Sequence, residues 1–252
     1  MRSFGLIGYP LGHSFSAAWF ADLFRREGIA DATYRNYPLA SLDELPALMA
    51  EPALLGFNVT APYKTAVMDY LDELDPTAAR IGAVNCVVRH AGIWKGYNVD
   101  WAGFAESLVP LLDGRRPQAA ILGTGGAAAA AGYGLDTLGI DHIFVSRSKR
   151  SENTVTYGEL DAATMERYRL LINATPLGTY PDTEQCPPLP YGLLTPEHML
   201  FDMVYNPPLS AFLRHGREAG ARTMNGRRML EIQALRSWEL FLTARPASGD
   251  IR

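Results

Sequence analysis

Cysteine is scarce: only Cys86 and Cys186 occur among 252 residues, 100 positions apart. They form no CxxC pair and no Cys/His cluster, so two buried thiols are expected rather than a disulfide framework or a zinc site. The five histidines, His13, His90, His142, His198 and His215, are equally scattered, and no metal site is expected. No apolar run reaches the roughly 20 residues of a membrane span. The opening MRSFGLIGYPLGHS turns to glycine and proline too early for a signal peptide. A soluble, cytoplasmic protein is therefore expected, and the NVT and NAT triplets are empty as glycosylation sites without a secretory route. Positive charge is not in excess either. The formal net charge of −4 argues against a general nucleic-acid or anionic-membrane binder, though a local basic patch can still hold a phosphate.

What is present is a globular composition, 48% apolar and 20% charged, enough to bury a proper core. The length allows one large or two modest domains. Phe4–Gly8 reads as a strand, followed by a helix whose apolar face is Phe15, Trp19, Phe20, Leu23 and Phe24, closed by Gly28. TYRNYPL is a second strand, and SLDELPALMA a helix with Ser41 as N-cap and Glu44 in the capping-box place. LLGFNVT is a third strand, and the run from Ala83 to Asp100 reads as a hairpin around His90-Ala91-Gly92. The alternation restarts with QAAILG, a glycine turn, an alanine-rich helix ending at Gly139, and HIFVSR. YRLLINATP and MLFDMVY are short apolar runs suited to buried parallel strands, and Gly226 to about Thr243 is helical. The fold class is α/β in two domains, 1–101 completed by a C-terminal helix in 227–252, and 102–226.

ILGTGGAAAAAG is the most mechanistic stretch. Gly123, Gly125 and Ala128 match G-x-G-x-x-G/A between a strand and a helix, where a pyrophosphate can approach the helix N-terminus. Glycine turns before alanine helices also occur as packing devices, but the strand–turn–helix–strand context favours a dinucleotide. The end of the next strand carries Ser146-Arg147-Ser148-Lys149-Arg150 and no acid before Glu152. Arg147 suits the 2′-phosphate of NADP, whereas an acidic residue would suit NAD. A solvated basic turn is the bland alternative.

Four glycine-bounded polar turns remain: GYPLGHSFS, GFNVTAPYK, GAVNCVV and GYNVDWAGF. Together with GTGGAA, INATPLGTYPD, FDMVYNPP and GRRMLEIQALRSW they resemble the shikimate dehydrogenase family along nearly the whole chain. The resemblance implies a substrate domain, a Rossmann-type domain and a cleft between them that closes around the reactants. The implied reaction is reversible, NADP-dependent reduction of 3-dehydroshikimate to shikimate, on the route to aromatic amino acids. Ser14 and Ser16 would hold the substrate carboxylate, and Asn58, Thr60, Asn85, Gln233 and Tyr205 the rest of the substrate. Lys64 and Asp100 would form the catalytic pair, the lysine acting on the carbonyl oxygen. Gly123, Thr124, Gly125, Gly126, Ala127, Ser146, Arg147, Ser148 and Lys149 would bind the cofactor, with Met203 and Gly226 at its nicotinamide end. His13 is expected only to support its loop. Read alone, Lys64 is also compatible with a surface lysine and Asp100 with a helix cap.

The chain departs from the family pattern at Ala17, at Cys86 and Val99 where threonine is frequent, and at Ser151 where a second arginine is usual. Alternatives are a quinate/shikimate dehydrogenase that also uses NAD, a methylene-tetrahydrofolate dehydrogenase-like enzyme, and a nucleotide-binding sensor without turnover. The expected partners are small molecules only, with the chain a monomer or homodimer.

Overall fold

Strand alternation organises both sheets. In the computed structural model, which describes residues 1–12, 15–148 and 151–246, the elements run in the following order. The first group is β1 (Arg2–Gly8), α1 (Ser16–Arg26), β2 (Ala32–Pro38), α2 (Leu45–Met49), β3 (Leu54–Val59), β4 (Glu73–Leu74), α3 (Pro76–Ile81), β5 (Cys86–His90) and β6 (Ile93–Tyr97). The second is α4 (Asp100–Leu112), β7 (Ala119–Leu122), α5 (Gly126–Leu138), β8 (His142–Ser146), β9 (Thr154–Thr156), α6 (Ala162–Arg167), β10 (Leu170–Asn173), β11 (Met199–Asp202), α7 (Ala211–Glu218) and β12 (Arg222–Asn225). The helix α8 (Arg227–Phe241) follows.

Two compact units result, one of Met1–Val99 with the chain from Gln233 onward, the other Asp100–Ile232, so the division falls inside α8. The first sheet has the order β2-β1-β3-β5-β6-β4. Strands β2, β1 and β3 run parallel, whereas β5 is antiparallel to β3 and β6. Phe4, Leu55, Cys86 and Val88 face α1 and α8, while Ile7, Leu54, Phe57 and Val87 pack in a second apolar cluster with Leu45, Leu48 and Ala78. The β5–β6 hairpin turns at Ala91 and Gly92, both at positive φ, as a two-residue turn between right-twisted strands requires.

The second sheet is wholly parallel, in the order β12-β11-β10-β7-β8-β9. Counted from β7, that is the doubly wound order in which the strand direction of winding reverses between β7 and β10. Ala119, Ile121, Leu170, Ile172, Met199 and Phe201 face α4 and α5; Ala120, Leu122, Leu171 and Leu200 face the cluster holding Met165, Phe212 and Leu213. Both faces are apolar, as a parallel sheet covered on two sides demands.

Some expectations shift. Ser41 and Glu44 do make a capping box, but it starts a 3-10 turn, Leu42–Glu44, before the short α2. Pro46 has no N–H to return to Leu42, and falls in the first turn of α2, where that loss is tolerated. The MLFDMVY strand stops at Asp202, leaving Met203–Tyr205 in the loop beyond it. Both cysteines are free, but only Cys86 is buried; Cys186 is partly exposed.

Phe241 ties α8 to the first sheet, fully buried and stacked on Phe4 with ring centroids 4.7 Å apart. Phe241→Ala is expected to lower the unfolding free energy by about 3–5 kcal/mol, read from the urea midpoint.

Candidate active site

The buried segment Ala83-Val84-Asn85, itself part of one polar turn, binds two others. Val84 N donates to the Lys64 carbonyl at 2.7 Å, so the lysine backbone is pinned directly after the Thr60–Tyr63 turn. Asn98 Nδ2 donates to the Ala83 carbonyl at 2.9 Å, and Val99 N to Asn85 Oδ1 at 2.7 Å. Those two bonds fix the backbone leading into Asp100, the first residue of α4 and only 5% exposed. An acidic side chain in a first helical turn is favoured by the helix dipole, so the carboxylate suits both a cap and a partner for a cation. Lys64 is half-buried. Thr60 N donates to the Ile7 carbonyl, and Thr60 O accepts from Tyr63 N, each at 3.0 Å.

Asn58, at the end of β3 and 6% exposed, is a hydrogen-bond hub. Its Nδ2 donates to the Asn85 carbonyl at 3.1 Å and to Ser237 Oγ at 2.7 Å, and its Oδ1 accepts from the Tyr34 hydroxyl at 2.8 Å. Tyr34 is stacked on Phe20 with centroids 4.1 Å apart. Burial, reinforced by Cys86, pushes its phenol well above the usual tyrosine range against an opposing hydrogen bond from Ser16, so it stays protonated and donating. Ser237 Oγ donates in turn to the Gln233 carbonyl at 2.9 Å. Ser16, Asn58 and Gln233, named from the motifs, are thus joined through two residues that the motifs did not name, Tyr34 and Ser237. Cys86 and Val99, where the family often has threonine, are core residues here. Ser14, His13 and Lys149 lie outside the described residues.

In the second unit, Gly123 follows β7 with φ +117, a conformation closed to side chains, and a Cβ there would come 3.3 Å from the Ala174 carbonyl. Gly125 is the N-cap of α5, has no side chain to engage the first-turn N–H groups, and faces open space. Gly126 and Ala127 form that first turn, and Thr124 is exposed beside it. The result is a cradle of backbone donors at a positive dipole end, suited to a pyrophosphate. Ser146 ends β8, and Arg147 and Ser148 follow it, both exposed. Ser151 is hydrogen-bonded to Thr154 at 2.7 Å. These residues fit a dinucleotide with an added phosphate.

Met203, Tyr205 and Gly226 also lie in the second unit. Gly226 backs onto the loop after β11: a Cβ there would fall 2.2 Å from the Met203 carbonyl. That loop is anchored by Asp202, fully buried, whose carboxylate accepts from Asn173 Nδ2 and Val204 N, each at 2.9 Å, and from Ser210 Oγ. Asn173 Oδ1 meanwhile accepts from Thr175 N and Oγ1. One carboxylate therefore holds both loops that leave the carboxyl ends of β10 and β11, where ligands of such sheets bind. Among the described residues no group of three His, Cys, Asp or Glu side chains can hold a metal ion, and no helix is long and apolar enough to cross a membrane.

A doubly wound dinucleotide-binding unit joined to an α/β unit rich in buried amides and hydroxyls defines a nucleotide-dependent oxidoreductase of the two-domain α/β class. Comparison with known proteins specifies it further. Residues 6–87 match the shikimate dehydrogenase substrate binding domain. The chain is 33% identical to the shikimate dehydrogenase (NADP(+)) of Desulforamulus reducens, over 94% of this chain and 88% of that one. It is 35% identical to that of Shouchella clausii, over 97% and 94%. A solved shikimate 5-dehydrogenase from Thermus thermophilus, in complex with NADP(H) and shikimate, superposes with a TM-score of 0.85 at 31% identity, covering 99% of this chain and 97% of that one. The chain belongs to the shikimate dehydrogenase family.

Asp202 supplies a pH test of the loop anchor. Burial pushes its carboxyl up to about 6 from the ordinary 3.8, its three hydrogen bonds opposing the shift only in part. The folded state thus holds this proton more tightly than the unfolded chain. Its contribution to stability is complete below 3.8 and is lost as pH rises through about 6. The stability of wild type minus that of Asp202→Asn, from urea titrations across this range, should fall with rising pH; a flat difference would remove the shift.

Proposed function

We infer that the protein is an NADP-dependent shikimate dehydrogenase that reversibly reduces 3-dehydroshikimate to shikimate. The observation that carries the reading is the buried Ala83–Asn85 segment, which fixes the backbone at Lys64 and just before Asp100 together. The first unit is the substrate domain and the second the cofactor domain. Ser14 and Ser16 take the substrate carboxylate, Asn58, Thr60, Asn85 and Gln233 its hydroxyls, and Tyr205 completes the contacts. Asn85 suits this role in particular: its Oδ1 is committed to Val99, and no hydrogen bond within the described residues engages its Nδ2. The α5 turn, Gly123–Ala127, takes the pyrophosphate, and Ser146, Arg147, Ser148 and Lys149 the 2′-phosphate. Met203 and Gly226 shape the nicotinamide end.

Bound NADPH supplies a hydride to the substrate carbonyl. As negative charge develops on that oxygen, the Lys64 ammonium stabilises it and donates the proton; in the reverse direction the lysine accepts it. Asp100 orients and balances the ammonium. The pinned lysine backbone keeps the donor in one place, so little reorganisation is needed as charge forms. Use of NAD as well is favoured by Ser151, a neutral residue already bonded to Thr154 where the family often has a second arginine.

Reduced-nicotinamide absorbance, followed with shikimate and quinate against NADP and NAD, tests the assignment. Shikimate-dependent reduction of NADP is expected, with kcat lowered roughly 10²–10⁴-fold in Lys64→Ala. Turnover unchanged in that variant would remove the lysine from the chemistry. Arg147→Ala is expected to raise the KM for NADP roughly tenfold while leaving that for NAD unmoved, as loss of a charge-assisted phosphate contact requires.

A further inference from the structure

Ser237 is fully buried in α8, in a segment where no motif assigns it a role, yet it completes the hydrogen bonding of Asn58. The direction of each bond in this cluster is determined. A carbonyl can only accept, so the Asn85 carbonyl forces the Asn58 nitrogen to face it and leaves Oδ1 to the Tyr34 hydroxyl. Ser237 Oγ–H is committed to the Gln233 carbonyl, so its lone pair receives the second Asn58 N–H. Both donors of the amide are therefore used inside the protein. Only the second lone pair of Oδ1 remains for anything else.

We propose that Ser237 is a positioning residue for substrate recognition: by taking one Asn58 N–H it makes Asn58 a hydrogen-bond acceptor alone, reading a donor hydroxyl of the substrate. The proposal rests on the assignment of Asn58 to the substrate site. A ligand whose corresponding oxygen is a ketone or an ether has no proton to offer, and the site discriminates against it. Without Ser237 the freed N–H loses its partner, and the amide no longer has a single fixed polarity.

Steady-state kinetics of Ser237→Ala, Asn58→Ala and the double variant test it, with shikimate and NADP varied in turn. Ser237→Ala is expected to raise the KM for shikimate roughly 5- to 10-fold, with kcat and the KM for NADP within about twofold of wild type. Because Ser237 acts through Asn58, adding Ser237→Ala to Asn58→Ala should change the KM no further. Ser237→Cys, similar in size but a weak acceptor, should move the KM in the same direction and serves if the alanine variant does not fold. An unmoved KM in both Ser237 variants, or an undiminished effect in the Asn58→Ala background, would overturn the proposal while normal wild-type turnover leaves the enzyme assignment standing. Wild type inactive on shikimate would sink that assignment, and the proposal with it.

Discussion

The structure of the first unit depends on the burial of one polar segment. Ala83, Val84 and Asn85 lie almost wholly out of water, yet carry amides and carbonyls that must find partners there. The partners come from two turns distant in sequence: the Lys64 carbonyl on one, and the Asn98 side chain and Val99 N–H on the other. The end of β3 adds two more bonds, since the Asn85 carbonyl accepts from both Val59 N and Asn58 Nδ2. A buried N–H left unpaired costs about 1–3 kcal/mol, so the segment and its turns hold or fail as a set. The backbone at Lys64 and just before Asp100 is thus placed by the requirement to satisfy buried backbone groups.

The second unit uses the same logic with a charge. Asp202 sits in the core without a cation within its hydrogen-bonded shell, accepting instead from an amide side chain, a backbone N–H and a hydroxyl. Such a carboxylate is tolerable only because its partners are oriented before it ionises. The glycine turn that abuts the loop after β10 is built from absence: no side chain at Gly123 or Gly125 occupies the approach to the α5 N-terminus. One loop set is held by a buried acid and the other left open for an anion.

Much of this was legible in the sequence, for physical reasons that also explain what was not. Long elements with a clear period, such as α1 with Phe20, Leu23 and Phe24 on one face, or β10 and β11 as bare apolar runs, declare themselves locally. The two-residue β4, the polar β12 and the six-residue α3 and α6 are too short or too polar for a period to be read, and exist because neighbours pair with or cap them. Lys64 and Asp100 stand out as candidates because glycine-bounded motifs surround them. Tyr34 and Ser237 were not, since a tyrosine in a strand and a serine in a helix gain meaning only when Asn58 comes between them. Pro46 was visible, but its consequence depended on where the Leu42–Glu44 turn ended.

The central claim is that this chain passes hydride between NADPH and the carbon bearing the substrate carbonyl, with Lys64 managing the proton. Mass spectrometry of shikimate formed from 3-dehydroshikimate and NADPH deuterated at the transferring position tests it most directly. The account predicts one deuterium, on the carbinol carbon, together with a hydroxyl proton drawn from solvent. Unlabelled product, or no product while the nucleotide still binds, would contradict it.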